Sequence, residues 1–151
     1  MARVLWVDDY AGRSGAKRLG FDALMSFIEG NGHTVEIASR PEQIEEGIEH
    51  AAEFGVAIVD ILMEPLASSP VRGHRFGGID VLERLARGGS KLPVIVLSVM
   101  PEWKVSEQIQ RRGIDSGAVD IRRILRKGAV LPRDLAKQVE ACLRETRRAR
   151  H

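Results

Sequence analysis

The 151 residues, 44% of them hydrophobic, fit one domain with enough apolar side chains for a core that needs no covalent staple. A formal net charge of +2 gives no electrostatic case for a polyanionic partner, and a single cysteine, Cys142, excludes an internal disulfide framework and suits a reducing cytoplasm. No apolar stretch approaches a membrane span and no charged-then-apolar leader opens the chain. The expectation is a cytoplasmic protein with no membrane partner.

Arg3 to Val7 reads as a strand that runs directly into Asp8-Asp9. Asp22 to Glu29 reads as a helix with Leu24, Phe27 and Ile28 on one face, stopped by Gly30-Asn31-Gly32. His33 to Ala38 alternates as a short strand. Ser39 caps a helix opening at Pro41, which carries Ile44 and Ile48 one turn apart. Val56 to Leu62 is a third strand and contains the most apolar run of the chain, Val56-Ala57-Ile58-Val59, which ends at Asp60. Gly78 to Ala86 forms a helix with Ile79, Leu82 and Leu85 inward. Pro93 to Val99 is a fourth strand, and a helix follows within Glu102 to Arg112. Ile121 to Leu125 is a fifth strand. Leu131 to Thr146 closes the chain as an amphipathic helix with Leu135, Val139, Cys142 and Leu143 on one face.

Strands alternating with helices predict an α/β domain with a parallel sheet covered on both faces, a doubly wound arrangement. In such sheets the functional edge lies beyond the C-terminal strand ends. Asp8, Asp9, Asp60, Ser98 and Lys127 all fall at or just after predicted strand ends. An ionised carboxylate is costly inside a buried strand unless it is paired or bound to metal. Three carboxylates at one edge therefore ask for a cation, and hard oxygen ligands suit Mg²⁺ or Mn²⁺. One carboxylate can then act as a nucleophile toward phosphorus, with the Ser98 hydroxyl and the Lys127 ammonium holding the transferred oxygens. Taken singly, each residue has an ordinary reading: a turn aspartate, a hydrogen-bonded serine, a solvated lysine. Their shared edge and order favour the functional one.

The strand ending in Asp8-Asp9, the strand leading into Asp60-Ile61-Leu62-Met63, Val94-Ile95-Val96-Leu97 ending in Ser98, and the late Lys127 resemble the receiver domain of two-component response regulators. Gly78-Ile79-Asp80-Val81-Leu82 resembles the start of that family's third helix. The resemblance covers about residues 2 to 146, leaving 147–151 as a basic tail. It implies a flavodoxin-like, five-stranded (βα)5 fold with strand order 2-1-3-4-5. By the same resemblance Asp60 is the phosphoacceptor of a phosphorelay. Asp8, Asp9, Asp60 and the backbone carbonyl of Leu62 hold Mg²⁺. Ser98 bonds a phosphoryl oxygen, and Lys127 pairs with Asp60 before transfer and with the phosphoryl group after it.

The chain departs from the family pattern in four places. Gly128 stands where proline usually follows the lysine. Ile124 occupies the position of the switch aromatic. Val99 follows Ser98 where a very small residue is usual, and is expected to narrow access to Asp60. The segments 10–20, 64–77 and 100–120 are long. Arg13, Lys17, Arg18, Arg72, His74 and Arg75 lie in two of them and could serve an anionic ligand, though solvated loop charges are the more ordinary reading. Gly12-Arg13-Ser14-Gly15 and Gly73-His74-Arg75-Phe76-Gly77-Gly78 allow anion nests. Trp103 is expected near the site as a lid or a helix-cap contact, and Cys142 as a buried, inert thiol. The four histidines show no metal-ligand spacing.

The expected function is that of a stand-alone receiver, a phosphoprotein rather than an enzyme. It takes its phosphoryl group from a sensor histidine kinase or a phosphotransfer protein and signals to a downstream protein target, with a homodimer as one route of output. The alternative is a pseudo-receiver, an interaction module independent of phosphorylation, and a third is an enzyme or nucleotide sensor using the acidic edge. Nucleic-acid binding through Arg144, Arg147, Arg148 and Arg150 is the weakest reading.

Overall fold

The computed structural model describes residues 2–9, 16–115 and 117–150, with the side chains of 16–21, 147, 149 and 150 left aside. Five strands, β1 (Arg3–Val7), β2 (Thr34–Ala38), β3 (Val56–Asp60), β4 (Pro93–Ser98) and β5 (Asp120–Arg126), form one parallel sheet in the order β2-β1-β3-β4-β5. Helices α1 (Ala16–Gly30), α2 (Pro41–Glu49), α3 (Gly77–Arg87), α4 (Glu102–Arg111) and α5 (Pro132–Arg150) alternate with them, with a 3₁₀ turn at Ala51–Glu53. This is the expected doubly wound, flavodoxin-like arrangement.

The central strands are buried on both faces, which is why they read as continuous apolar runs. Successive side chains still alternate between two cores. Leu5, Val7, Ala57, Val59, Val94 and Val96 pack with α2, α3 and α4. Val4, Trp6, Val56, Ile58, Ile95 and Leu97 pack with α1 and α5, against Ile28, Leu135, Val139 and Cys142. Burial pushes the Cys142 thiol above its ordinary pKa, in keeping with an inert side chain.

The boundaries correct several expectations. α1 begins at Ala16 rather than Asp22, so Lys17 and Arg18 belong to a helix and not to a loop. Ala16, Lys17, Arg18 and Leu19 are good helix formers, and the helix tolerates Gly20. Residues 10–15, with Arg13 and the Gly12–Gly15 nest, lie outside the described residues. The cap of α2 is not the Ser39 side chain. Gln43 Oε1 instead accepts from the backbone N–H groups of Ser39 and Arg40, at 3.1 and 3.2 Å. α5 continues to Arg150, so no break in secondary structure separates the arginine-rich end from the preceding helix. Within the segment 100–120, the helix expected in Glu102 to Arg112 is α4, Glu102–Arg111.

The segment between β3 and α3 leaves and returns through a narrow neck. Met63 and Phe76 form a parallel bridge, with Met63 N–H donating to Arg75 O and Gly77 N–H to Met63 O, both at 3.0 Å. The return is possible only because two glycines open α3. A Cβ on Gly77 would stand 2.0 Å from Glu64 O, and one on Gly78 would stand 2.2 Å from Asp60 O. The helix therefore packs its backbone directly on the backbone that carries Asp60.

Gly78→Ala is expected to cost at least about 2 kcal/mol in urea unfolding, because rigid backbone must move. Gly88→Ala, whose new Cβ would lie 3.5 Å from Arg84 O at a negative φ, should stay within about 0.5 kcal/mol of wild type. Equal effects would remove the close-packing account.

Candidate functional site

The register of the sheet builds the site. β1 and β3 pair Val7 with Val59, so the residues that follow, Asp8 and Asp60, emerge side by side. Asp60 aligns with Leu97 of β4, and Ser98 comes next. Lys127 follows the last residue of β5, where Ser98 aligns with Arg126.

Asp8 and Asp60 are 1% and 3% exposed, a depth at which carboxylates need partners. Lys127 provides one for both: its Nζ donates to Asp8 Oδ2 at 3.0 Å and to Asp60 Oδ2 at 3.2 Å. Carboxylate oxygens of Asp8, Asp9 and Asp60 all lie within 4.8 Å of one another. The Leu62 N–H donates to Asp60 Oδ1 at 3.3 Å, placing that residue beside the cluster, and the Glu64 N–H lies 3.5 Å from Asp9 Oδ2.

Burial, followed by the neighbouring Asp8 carboxylate, raises Asp60 to about 6 against the opposing pull of Lys127. Burial pulls Lys127 down, but Asp60 and Asp8 outweigh it and its pKa is raised. Asp60 therefore stays ionised at neutral pH, as a nucleophile must be. One carboxylate oxygen from each of Asp8, Asp9 and Asp60 lies close enough to the others for a single divalent cation to bind all three. The donor set is all oxygen, as Mg²⁺ or Mn²⁺ prefers.

Ser98 is fully buried. Its Oγ accepts from Met100 N–H at 2.9 Å, and its carbonyl accepts from Lys127 N–H at 2.7 Å. The hydroxyl is engaged locally, while the backbone of Ser98 holds Lys127 in place. Gly128 follows with φ +90°, a conformation that suits glycine, and no described peptide bond is cis. Val99 is 50% exposed at the rim, and Arg126 Nε donates to its carbonyl. Trp103 is 67% exposed on the first turn of α4, where the cap position is Pro101. Ile124 is half-buried and packs against the core beneath α4.

The basic residues of the long loop do not converge. Arg72 and Arg75 are exposed, whereas His74 turns inward. His74 Nδ1 accepts from Phe76 N–H at 2.9 Å, and its Nε2 lies 3.1 Å from Ser69 Oγ. At the centre of this cluster is Asp80, 1% exposed, which accepts from Leu66 N–H, Ser69 Oγ and Arg112 Nη1 at 2.9, 2.7 and 2.5 Å. Sequence reasoning placed Asp80 in a helix start but missed its role in fastening the loop and the end of α4. The available signal was a carboxylate inside the apolar run Ile79-Asp80-Val81-Leu82.

No protein-family model matches the chain, and no curated protein does. Solved structures do. A response regulator receiver domain protein from Methanospirillum hungatei is 23% identical, with a TM-score of 0.64 over 99% of this chain and 98% of its own. The N-terminal domain of a response regulator/sensory box/GGDEF three-domain protein from Carboxydothermus hydrogenoformans is 22% identical, with a TM-score of 0.66 over 99% of each chain. The receiver domain of a Francisella response regulator is 20% identical, with a TM-score of 0.65 over 97% of this chain and 99% of its own. At these identities the likeness establishes the receiver fold across nearly the whole chain.

Folded Asp60 keeps its proton to a higher pH than the unfolded chain does. Without divalent cation, its share of stability is therefore present below 3.8 and lost as pH rises to about 6. Mg²⁺ should oppose the trend, since it binds the ionised form. At ten times its Kd it should add about 1.4 kcal/mol at pH 8 and little at pH 5. Thermal melts of wild type and Asp60→Asn across pH, with and without Mg²⁺, isolate this contribution. Identical Mg²⁺ effects in both proteins would exclude Asp60 from the cation site.

Proposed function

We propose that the chain is a receiver whose Asp60 accepts a phosphoryl group from the phosphohistidine of a kinase or phosphotransfer protein, and that it signals by contact with a downstream protein. The observation that carries this reading is the Lys127 bridge between Asp8 and Asp60, beside a third carboxylate, at the strand ends of a receiver fold. Asp8, Asp9, Asp60 and the Leu62 carbonyl would hold the Mg²⁺. Bound there, the ion neutralises charge that would otherwise repel an incoming phosphoryl group.

Each residue then has a task. An Asp60 oxygen forms the new O–P bond as the donor N–P bond breaks and its electron pair returns to the imidazole nitrogen. Lys127 is already within bonding distance of Asp60 Oδ2, so a short movement brings its ammonium onto a phosphoryl oxygen. Ser98 accepts from Met100 N–H and so keeps its own hydroxyl proton, the hydrogen that a phosphoryl oxygen would receive.

The pseudo-receiver reading is favoured by Ile124, which lacks the ring that would move in a phosphorylated receiver. The two readings separate in one experiment. Incubation with acetyl phosphate and Mg²⁺, followed by intact-mass measurement, should add one phosphoryl group to wild type and none to Asp60→Asn. Lys127→Ala should still fold and should label at least about tenfold more slowly, through loss of a charge held at the reacting oxygen. An unlabelled wild type in the presence of Mg²⁺ would leave the interaction-module reading in its place.

A further inference from the structure

Helix α5 presents Arg133, Lys137, Glu140, Arg144 and Arg148 at successive helical turns, a single stripe about 22 Å long. The four basic side chains are exposed, and among the described residues none of them forms an ion pair. Several arginines elsewhere are neutralised in pairs, such as Arg3–Glu36, Arg84–Glu45, Arg112–Asp80 and Arg122–Glu145, whereas the stripe gathers four uncompensated cations on one helix face. The one acid of the stripe is occupied: the Glu140 carboxylate bonds His33 Nε2, while His33 Nδ1 accepts from Ala2 N–H.

The stripe borders a groove of about 590 Å³ between α1 and α5. Its other wall is Phe27 of α1 and Asn31 in the turn after it, and Phe27 is 49% exposed, one of few large apolar side chains so placed. Uncompensated positive charge, an exposed aromatic and a cleft parallel to a helix therefore coincide.

We propose that this α1–α5 groove is a docking site for an acidic amphipathic helix of a partner protein. A helix laid along the groove can set carboxylates one turn apart against Arg133 and Lys137, and again against Arg144 and Arg148. An apolar residue between the two pairs would cover Phe27 and pass over Glu140. A nucleic-acid backbone fits less well, because its continuous negative charge would meet Glu140 at the middle of the stripe. A lipid surface fits less well because one aromatic is too little apolar area to anchor a helix pair. The groove contains no residue of the carboxylate cluster, and docking there does not depend on phosphorylation.

The test is fluorescence anisotropy with the full chain and a stapled helical peptide, glutamates one turn apart on one face and leucine between the two pairs. Saturable binding is expected. It should weaken about tenfold in the double variant Lys137→Glu/Arg144→Glu, and measurably in Phe27→Ala and at raised salt. Circular dichroism verifies that the variants fold, and Lys137→Gln/Arg144→Gln gives a milder second pair. Asp60→Asn should bind as wild type does, so failure here and failure of phosphotransfer are read separately. The proposal is overturned if a scrambled, unstapled peptide of the same composition binds equally, or if the charge reversals change nothing. It is also overturned if duplex DNA or phosphatidylglycerol vesicles displace the peptide at lower charge concentration.

Discussion

Two nearly buried carboxylates share one ammonium at the end of a parallel sheet. Burial, and then the neighbouring Asp8 carboxylate, favour the protonated form of Asp60. Lys127 opposes them from 3.0 and 3.2 Å without cancelling them, since Asp60 remains raised. The balance leaves Asp60 at about 6, and so largely ionised at neutral pH. Everything around it serves that poise. The apolar runs of β1 and β3 fix the carboxylates in register, and the Lys127 backbone is tied to the carbonyl of Ser98.

The same constraint explains the local architecture beyond Asp60. A loop that rises from β3 must return over a crowded edge, and Gly77 and Gly78 allow it to do so in contact with the backbone of Glu64 and Asp60. What lies above the neck is then pinned. Asp80 holds Leu66 and Ser69 of the loop and Arg112 at the end of α4, while Arg84 binds Ser68 and Glu45. A buried ion pair of this kind is weak evidence of net stability, but losing either partner leaves an unpaired charge. The loop is thus held in one arrangement next to the site.

Much of this was legible because the governing signals are local. Strand after strand of β-branched residues ended in a polar group, which located the edge, and the order of Asp8, Asp9, Asp60, Ser98 and Lys127 located the site on it. The misreadings have physical causes. Gly12, Gly15 and Gly20 suggested a long loop, yet good helix formers carry α1 back to Ala16. Ser39 has cap chemistry, but Gln43 reaches both orphan N–H groups first. His74 and Asp80 could not be assigned from spacing, because their bonds cross between a loop and two helices. Pairing of that sort depends on where chain segments meet, which composition does not encode.

Ser98 and Lys127 behave as one unit, and this bears on the position held by Ile124. In the sequence, Ile124 stands at the position of the family's switch aromatic. The backbone supplies a direct link. Lys127 N–H donates to Ser98 O at 2.7 Å, and Arg126 Nε donates to Val99 O at 3.0 Å, so the end of β5 is fastened to the two residues that lead into α4. Ser98 Oγ in turn holds Met100 N–H. A displaced Ser98 hydroxyl would give up its bond to the Met100 N–H, on the same turn to which Arg126 and Lys127 fasten the end of β5.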